Sequence, residues 1–165
     1  FESLLVMALK GVPAFYLPAL LASENDIKSF SMTGQRRDLN REKFKSENLS
    51  AVLNNPESNA NKNLKYLRNA MDVRSELKQF HPCSQMKCLS KGRSDIVVIK
   101  RGNGPQSVFA IHNMTENKIN YQLNDNDLPK IIDNDFNTHD FLTSTKYNCK
   151  NISLDPFQVI WLSAL

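Results

Sequence analysis

Apolar and polar positions change their spacing twice along this chain, and the changes divide it into three stretches. Residues 1–9, Phe-Glu-Ser-Leu-Leu-Val-Met-Ala-Leu, are mostly apolar. The stretch is shorter than the ~20 apolar residues that cross a bilayer. No basic segment precedes it and no small-residue cleavage site follows, so it reads as the end of a buried helix. Ala14-Phe15-Tyr16-Leu17, bounded by Gly and Pro, predicts a short buried strand. From Ser23 to Pro56 the chain is polar. A connection of that length points to a functional or a disordered loop.

Residues 59–80 carry the helical period. Leu64, Leu67, Met71, Arg74 and Leu77 recur at spacings of three and four and form one stripe, which reads as core packing. Asn59 or Asn61 is positioned to cap the helix, and Pro82 ends it. From residue 84 onward the period shortens. Strands are predicted at 85–89, 95–101, 107–113, 118–123, 140–147 and 157–162, separated by Gly-, Asn- and Asp-rich turns. Short strands at this spacing predict an antiparallel β-sandwich. The order is one β/α unit followed by an all-β module. A lone strand cannot cover both of its faces. That and the initial Phe1 predict a fragment, with a boundary near residue 80.

Composition narrows the function classes. Hydrophobic residues make up 41% and charged residues 23%, a globular balance. The net charge of +4 is scattered rather than gathered into a basic stripe, so no nucleic-acid partner is expected. No membrane partner is expected either. Cys83, Cys88 and Cys149 leave at least one thiol unpaired. Cys83 and Cys88, with His81 nearby, lack a second pair at zinc-like spacing, so no metal or other cofactor is expected. Reduced thiols fit a cytoplasmic protein. On that reading the sequons at Asn48, Asn113 and Asn151 are chance matches.

Several segments carry a family resemblance. Gly11-Val12-Pro13-Ala14-Phe15-Tyr16 looks like the last barrel strand of the α-amylase superfamily. Leu20-Leu21-Ala22-Ser23-Glu24-Asn25-Asp26, followed by Thr33-Gly34-Gln35-Arg36-Arg37-Asp38-Leu39-Asn40-Arg41, resembles the sucrose phosphorylase subfamily of glycoside hydrolase family 13. Asn40-Arg41-Glu42-Lys43 is closer to its glucosylglycerate phosphorylase branch. Leu154 to Leu162 is similar to the last strand of the family's C-terminal β-domain. Ala22 and Ser23 depart from the pattern, standing where a glycine is frequent, and Leu17-Pro18 replaces a more polar pair.

The resemblance implies an α/β plus all-β architecture. Residues 1–80 would be the end of a (β/α)8 TIM barrel, with its last strand, substrate loop and last helix. Residues 81–165 would be a C-terminal antiparallel β-sandwich. It implies a retaining glucoside phosphorylase that takes glucosylglycerate or sucrose, with phosphate as acceptor, and forms α-glucose 1-phosphate through a glucosyl-enzyme. The two catalytic carboxylates of this superfamily sit on earlier strands. No catalytic residue is therefore assigned among the seventeen Asp and Glu. Arg37 matches the arginine that anchors the glucose hydroxyls, a task suited to a guanidinium with five fixed donors. Arg36, Asn40 and Arg41 are further substrate-binding candidates, with Arg36 placed to meet phosphate or a glycerate carboxylate. Asp26 suits a helix cap as well as the site. The partners implied are a small sugar and inorganic phosphate, and the resemblance allows a homodimer of the full-length enzyme. Two alternatives are a hydrolase of the same superfamily and a stand-alone carbohydrate-binding β-module. Such a module would present exposed aromatics, whereas Phe109, Phe157 and Trp161 lie in apolar runs and read as core.

Overall fold

A computed structural model describes residues 1–40, 43–90, 92–124, 126, 128 and 137–163. The described residues form two compact units, one of residues 1–13 with 70–165 and one of residues 14–69. This division does not follow a single cut after residue 80. The first helix and the end of the long helix belong with the sheet, and hydrogen bonds described below hold them there.

The first unit is built on a four-stranded antiparallel sheet. Its strands are β1 (Met86–Cys88), β2 (Ile96–Arg101), β3 (Val108–Asn113) and, from the end of the chain, β8 (Val159–Ser163), in the order β1-β2-β3-β8. Between β3 and β8 the chain forms two short ribbons. One pairs β4 (Ile119–Tyr121) with β7 (Ile152–Leu154), and the other pairs β5 (Asn137–His139) with β6 (Lys146–Asn148). The expected sandwich of two full sheets is thus replaced by one sheet and two ribbons. The strands of the ribbons are three residues long and cannot build a second wide layer.

Alternation along each strand gives the sheet two faces. Ile96 and Val98 share a face with Ile111 and Phe109, and these with Ile160 and Leu162. That face forms the main core with Tyr121, Leu123, Cys149, Ile152 and Leu154. The opposite face carries Arg101, His112 and Trp161, all buried. Trp161 lies 4.6 Å from the ring of Phe80, centroid to centroid. The buried Trp161 agrees with the sequence, but Phe157 does not. It is 47% exposed on a turn with φ +53°, edge-on to Phe1.

Two arginines tie the first helix, α1 (Glu2–Ala8), to this unit. Arg101 donates to the carbonyls of Ala8 and His81 at 3.1 and 2.9 Å. Arg74 donates to the carbonyls of Met7 and Gly11 at 2.9 and 3.0 Å. Both guanidinium carbons lie within 6 Å of the Phe80 ring, at 5.6 and 5.9 Å, close enough for cation–π attraction. Helix-end carbonyls without an intrahelical partner are satisfied in this way. The stripe position Arg74 is therefore a helix-end cap as well as part of the packing.

The second unit differs from expectation in two places. Residues 12–16 are not a strand, because no neighbouring strand among the described residues offers a ladder. A four-residue helix, α2 (Leu17–Leu20), follows. The polar stretch is not a loop throughout. It contains α3 (Ile27–Thr33), a 3-10 turn at Arg36–Asn40 and α4 (Ser46–Asn54). Gly34, at φ +68°, ends α3 with its N–H on the Phe30 carbonyl. A left-handed residue at this place is most readily a glycine.

The long helix α5 (Asn59–Glu76) confirms the period read from residues 59–80, and a 3-10 turn at Lys78–Phe80 completes that span. Ser58 caps it, rather than Asn59 or Asn61. The Ser58 hydroxyl oxygen accepts from the Asn61 N–H at 3.1 Å, three residues on.

Asp140 explains why the predicted strand 140–147 begins as a turn and is a strand only from Lys146 on. Its Oδ1 accepts from the N–H groups of Trp161 (2.7 Å) and Leu142 (3.2 Å), and its Oδ2 from the Thr143 hydroxyl (2.7 Å). The chain reverses there, with Ser144 at φ +60°.

Candidate substrate-binding loop

The loop that carries the candidate residues is built by local bonds. Asp26 is the cap of α3. Its carboxylate accepts from the Ser29 N–H at 2.8 Å and the Ser29 hydroxyl at 2.6 Å. These bonds, the hydroxyl first, lower its pKa below the ordinary carboxylate value. Its side chain is committed to the helix, which decides between the two roles the sequence allowed. The Asp26 backbone reaches further, donating to the Leu39 carbonyl at 2.8 Å. That bond fastens residues 24–26 to the end of the 3-10 turn.

The start of the same turn is fastened to α3. The Thr33 hydroxyl donates to Asp38 at 2.5 Å, and the Asp38 N–H donates to the Gln35 carbonyl at 2.9 Å. Arg37 and Asp38 form a loose ion pair with N···O 4.0 Å. The Arg37 side chain remains 64% exposed. In open water such a pair contributes little to stability.

In a 3-10 helix residues three apart eclipse one another. Arg37 and Asn40 therefore share one face of the Arg36–Asn40 turn, and Arg36 shares another with Leu39. Asn40 lines a hollow of about 260 Å³ together with Tyr16, Glu24 and Asn25. Arg36 and Asn40 are both exposed, and Leu39 is half-buried. The structure thus separates the two neighbouring arginines. Arg41 lies outside the described residues.

Tyr16 was read as part of a buried strand, yet it is 55% exposed and lines this hollow. Asn25 stood in the quoted motif with no role of its own. Ala22, also on the hollow, takes φ +49°. Glycine adopts that conformation freely, and alanine adopts it at a cost. This is the position where the sequence departs from the frequent glycine.

The remaining chemistry-bearing residues do not converge. His81 is exposed, His112 is buried in β3, and the His139 ring lies 5.2 Å from that of Phe141. The Cys83 and Cys88 side chains are exposed, and the Cys149 side chain is buried in the main core. Among the described residues no group of three His, Cys, Asp or Glu could hold a metal ion. No described helix is long and apolar enough to cross a membrane. Asn113 is buried, and its amide donates to the carbonyls of Asn117 and Asp155, so it is spent on structure.

Comparison with known proteins gives a consistent picture. No family model matches the chain. A glucosylglycerate phosphorylase of Allomeiothermus silvanus is 32% identical over 114 residues, which are 69% of this chain and 20% of that protein. A glucosylglycerate phosphorylase of Escherichia coli is 22% identical over 159 residues, 96% of this chain and 26% of that protein. The chain therefore spans about a fifth to a quarter of these relatives. Among solved structures, the trehalose-6-phosphate hydrolase of Bacillus licheniformis superposes with a TM-score of 0.67 at 16% identity, over 98% of this chain and 37% of the hydrolase. An Anoxybacillus α-amylase superposes with a TM-score of 0.65 at 14% identity, over 96% of this chain and 30% of the amylase. At such identities these two establish likeness of fold alone. By sequence the chain is thus similar to a part of glucosylglycerate phosphorylases, and by fold it is similar to amylase-type enzymes.

Proposed function

We propose that the chain is the closing part of a cytoplasmic retaining glucoside phosphorylase. Residues 1–80 form the end of its (β/α)8 barrel and residues 81–165 its C-terminal β-domain. The complete enzyme transfers glucose from glucosylglycerate, or from sucrose, to inorganic phosphate. A carboxylate attacks the anomeric carbon while a second, protonated carboxyl gives its proton to the departing oxygen. Phosphate oxygen then attacks the same carbon, the ester bond to the enzyme breaks, and the second carboxylate takes the phosphate's proton. The product is α-glucose 1-phosphate. Neither carboxylate is assigned to a residue of this chain.

In this reading Arg37 holds the glucose hydroxyls, with Asn40 beside it. The observation that carries it is that these two side chains share one face of a turn whose ends are both fastened by hydrogen bonds. A donor group held in place before the sugar arrives loses less freedom on binding. Arg36, on a different face, is proposed to meet the oxyanion of phosphate or glycerate, and Arg41 to complete the set.

Substitution in the complete enzyme tests these roles. Arg37→Ala should lower kcat/KM for every donor by about one to two orders of magnitude, the equivalent of a lost charge-assisted contact of roughly 1.5–3 kcal/mol. Release of glucose 1-phosphate is the measurement. An unchanged rate would remove Arg37 from the site. Release of free glucose instead would make the enzyme a hydrolase of the same family. Arg36→Gly run in parallel should weaken turnover of glucosylglycerate far more than of sucrose, and equal effects would leave Arg36 a surface charge.

A further inference from the structure

The segment that continues β4 carries a row of amides that glucosyl transfer does not use. Burial alternates along it. Asn120, Gln122 and Asn124 are exposed, whereas Tyr121 and Leu123 are buried. The alternation has a backbone cause. Beyond the paired residues Ile119–Tyr121, the Leu123 N–H donates to the Cys149 carbonyl at 3.0 Å, so the segment stays extended past the strand proper. Three amides therefore stand on one face, spaced by about 7 Å.

A fourth amide, Asn151, precedes β7 and faces the same groove, which encloses about 520 Å³. Arg93 and Lys150 line it as well, and among its described lining residues there is no carboxylate. Arg93 does not bring an open charge. Its guanidinium is held by both carboxylate oxygens of Asp95, the Nε contact being 2.9 Å, and it lies 5.6 Å from the centroid of the Tyr121 ring. The floor is fixed on both sides. Tyr121 pairs with Ile152 across the ribbon, and the Asn148 side chain holds the Lys150 N–H at 2.8 Å.

An amide offers two donors and one acceptor with no net charge. A row of them matches a ligand whose polar atoms both donate and accept and which carries no charge, and that describes the hydroxyls of a sugar. An oxyanion would be matched instead by a cluster of cations, whereas Asp95 neutralises Arg93 and leaves Lys150 as the one other basic side chain among the described lining residues. We infer that this groove is a binding site for a neutral oligosaccharide, separate from the loop that carries Arg37. It involves neither Arg37 nor any step of glucosyl transfer, so it stands or falls without the reading above.

The test uses the chain itself and maltotriose as the probe, followed by saturation-transfer NMR at micromolar protein. Maltotriose should receive saturation from the wild-type chain, with a Kd in the millimolar range that shallow surface sites reach, on the order of −4 kcal/mol. The double variant Asn120→Ala, Gln122→Ala should bind at least about tenfold more weakly, since each amide lost removes one or more net hydrogen bonds. Both side chains are exposed, so the fold should persist, and an unchanged melting temperature verifies it. No saturation transfer, or equal transfer to wild type and double variant, would overturn the inference. Loss of the maltotriose signal on adding an equal concentration of inorganic phosphate would overturn it too, because the groove would then take anions.

Discussion

His112 lies fully buried in β3, and neither ring nitrogen has a hydrogen-bond partner among the described residues. The ring meets Phe1 edge-on at 6.1 Å. Burial pushes its pKa from 6.5 down to about 4. The neutral form is thus the folded form. Between those two values the unfolded chain binds the proton and the folded chain does not, so stability rises with pH through that window. The contribution is complete above about pH 6.5 and declines as the pH falls towards 4, by roughly 3 kcal/mol in all. Melting temperatures measured from pH 4 to pH 7 should show this slope, and His112→Leu should flatten it. A variant with the wild-type slope would assign the effect to other groups. Nothing in the sequence marked this residue, because an isolated histidine between Ile111 and Asn113 shows no sign of which face it joins. The same holds for Arg36 and Arg37. The motif singled out both, but only the 3-10 turn separates the face of Arg37 and Asn40 from that of Arg36.

The elements most legible in the sequence are those whose period survives in their burial. Helix α5 is one. Ala60, Leu67 and Ala70 are buried on it and Leu64, Met71 and Arg74 are half-buried, close to the stripe read from spacing alone. Leu67, only 1% exposed, should not accept a charge. Leu67→Asp buries an unpaired carboxylate and should cost several kcal/mol, seen as lost helical ellipticity at residues 59–76 and an earlier urea midpoint. A variant with a wild-type midpoint would put the stripe on the surface. Strands β2, β3 and β8 were legible for the same reason. Helices α3 and α4 were not, since neither has a fully buried residue. Asp26 caps α3, and the Ser58 and Asn61 side chains hold the last carbonyls of α4. Their short apolar sets, Ile27 with Phe30 and Leu49 with Val52 and Leu53, are easily read past in a polar stretch. Strand β7 was missed because its three residues give too short a run to show alternation.

At the scale of the whole molecule, the first residues decide how the chain behaves in solution. Helix α1 turns Leu4, Met7 and Ala8 inward, and each is fully buried, so much of the apolar stretch 1–9 is satisfied within its own unit. Val6 and Leu9 point the other way, at 41% and 42% exposure, and Val12 is 80% exposed. Single exposed apolar side chains are ordinary, but three within seven residues form a cluster of the kind that promotes association. No described strand pairs with residues 12–16 either, which leaves extended backbone beside that cluster. A buried helix end is expected at 1–9 and a buried strand at 14–17, and the structure leaves outward positions of both exposed. The chain should therefore associate with rising concentration and bind a hydrophobic dye while still folded. Light scattering after size exclusion, at several loading concentrations, measures the first. The double variant Val6→Ser, Val12→Ser removes two exposed side chains and no core contact, so it should shift the chain towards monomer while leaving the melting temperature nearly unchanged. A wild-type chain that stays monomeric at every concentration and binds no dye would show that these side chains are covered. A double variant that loses stability would show instead that Val6 and Val12 belong to the packing of the first unit.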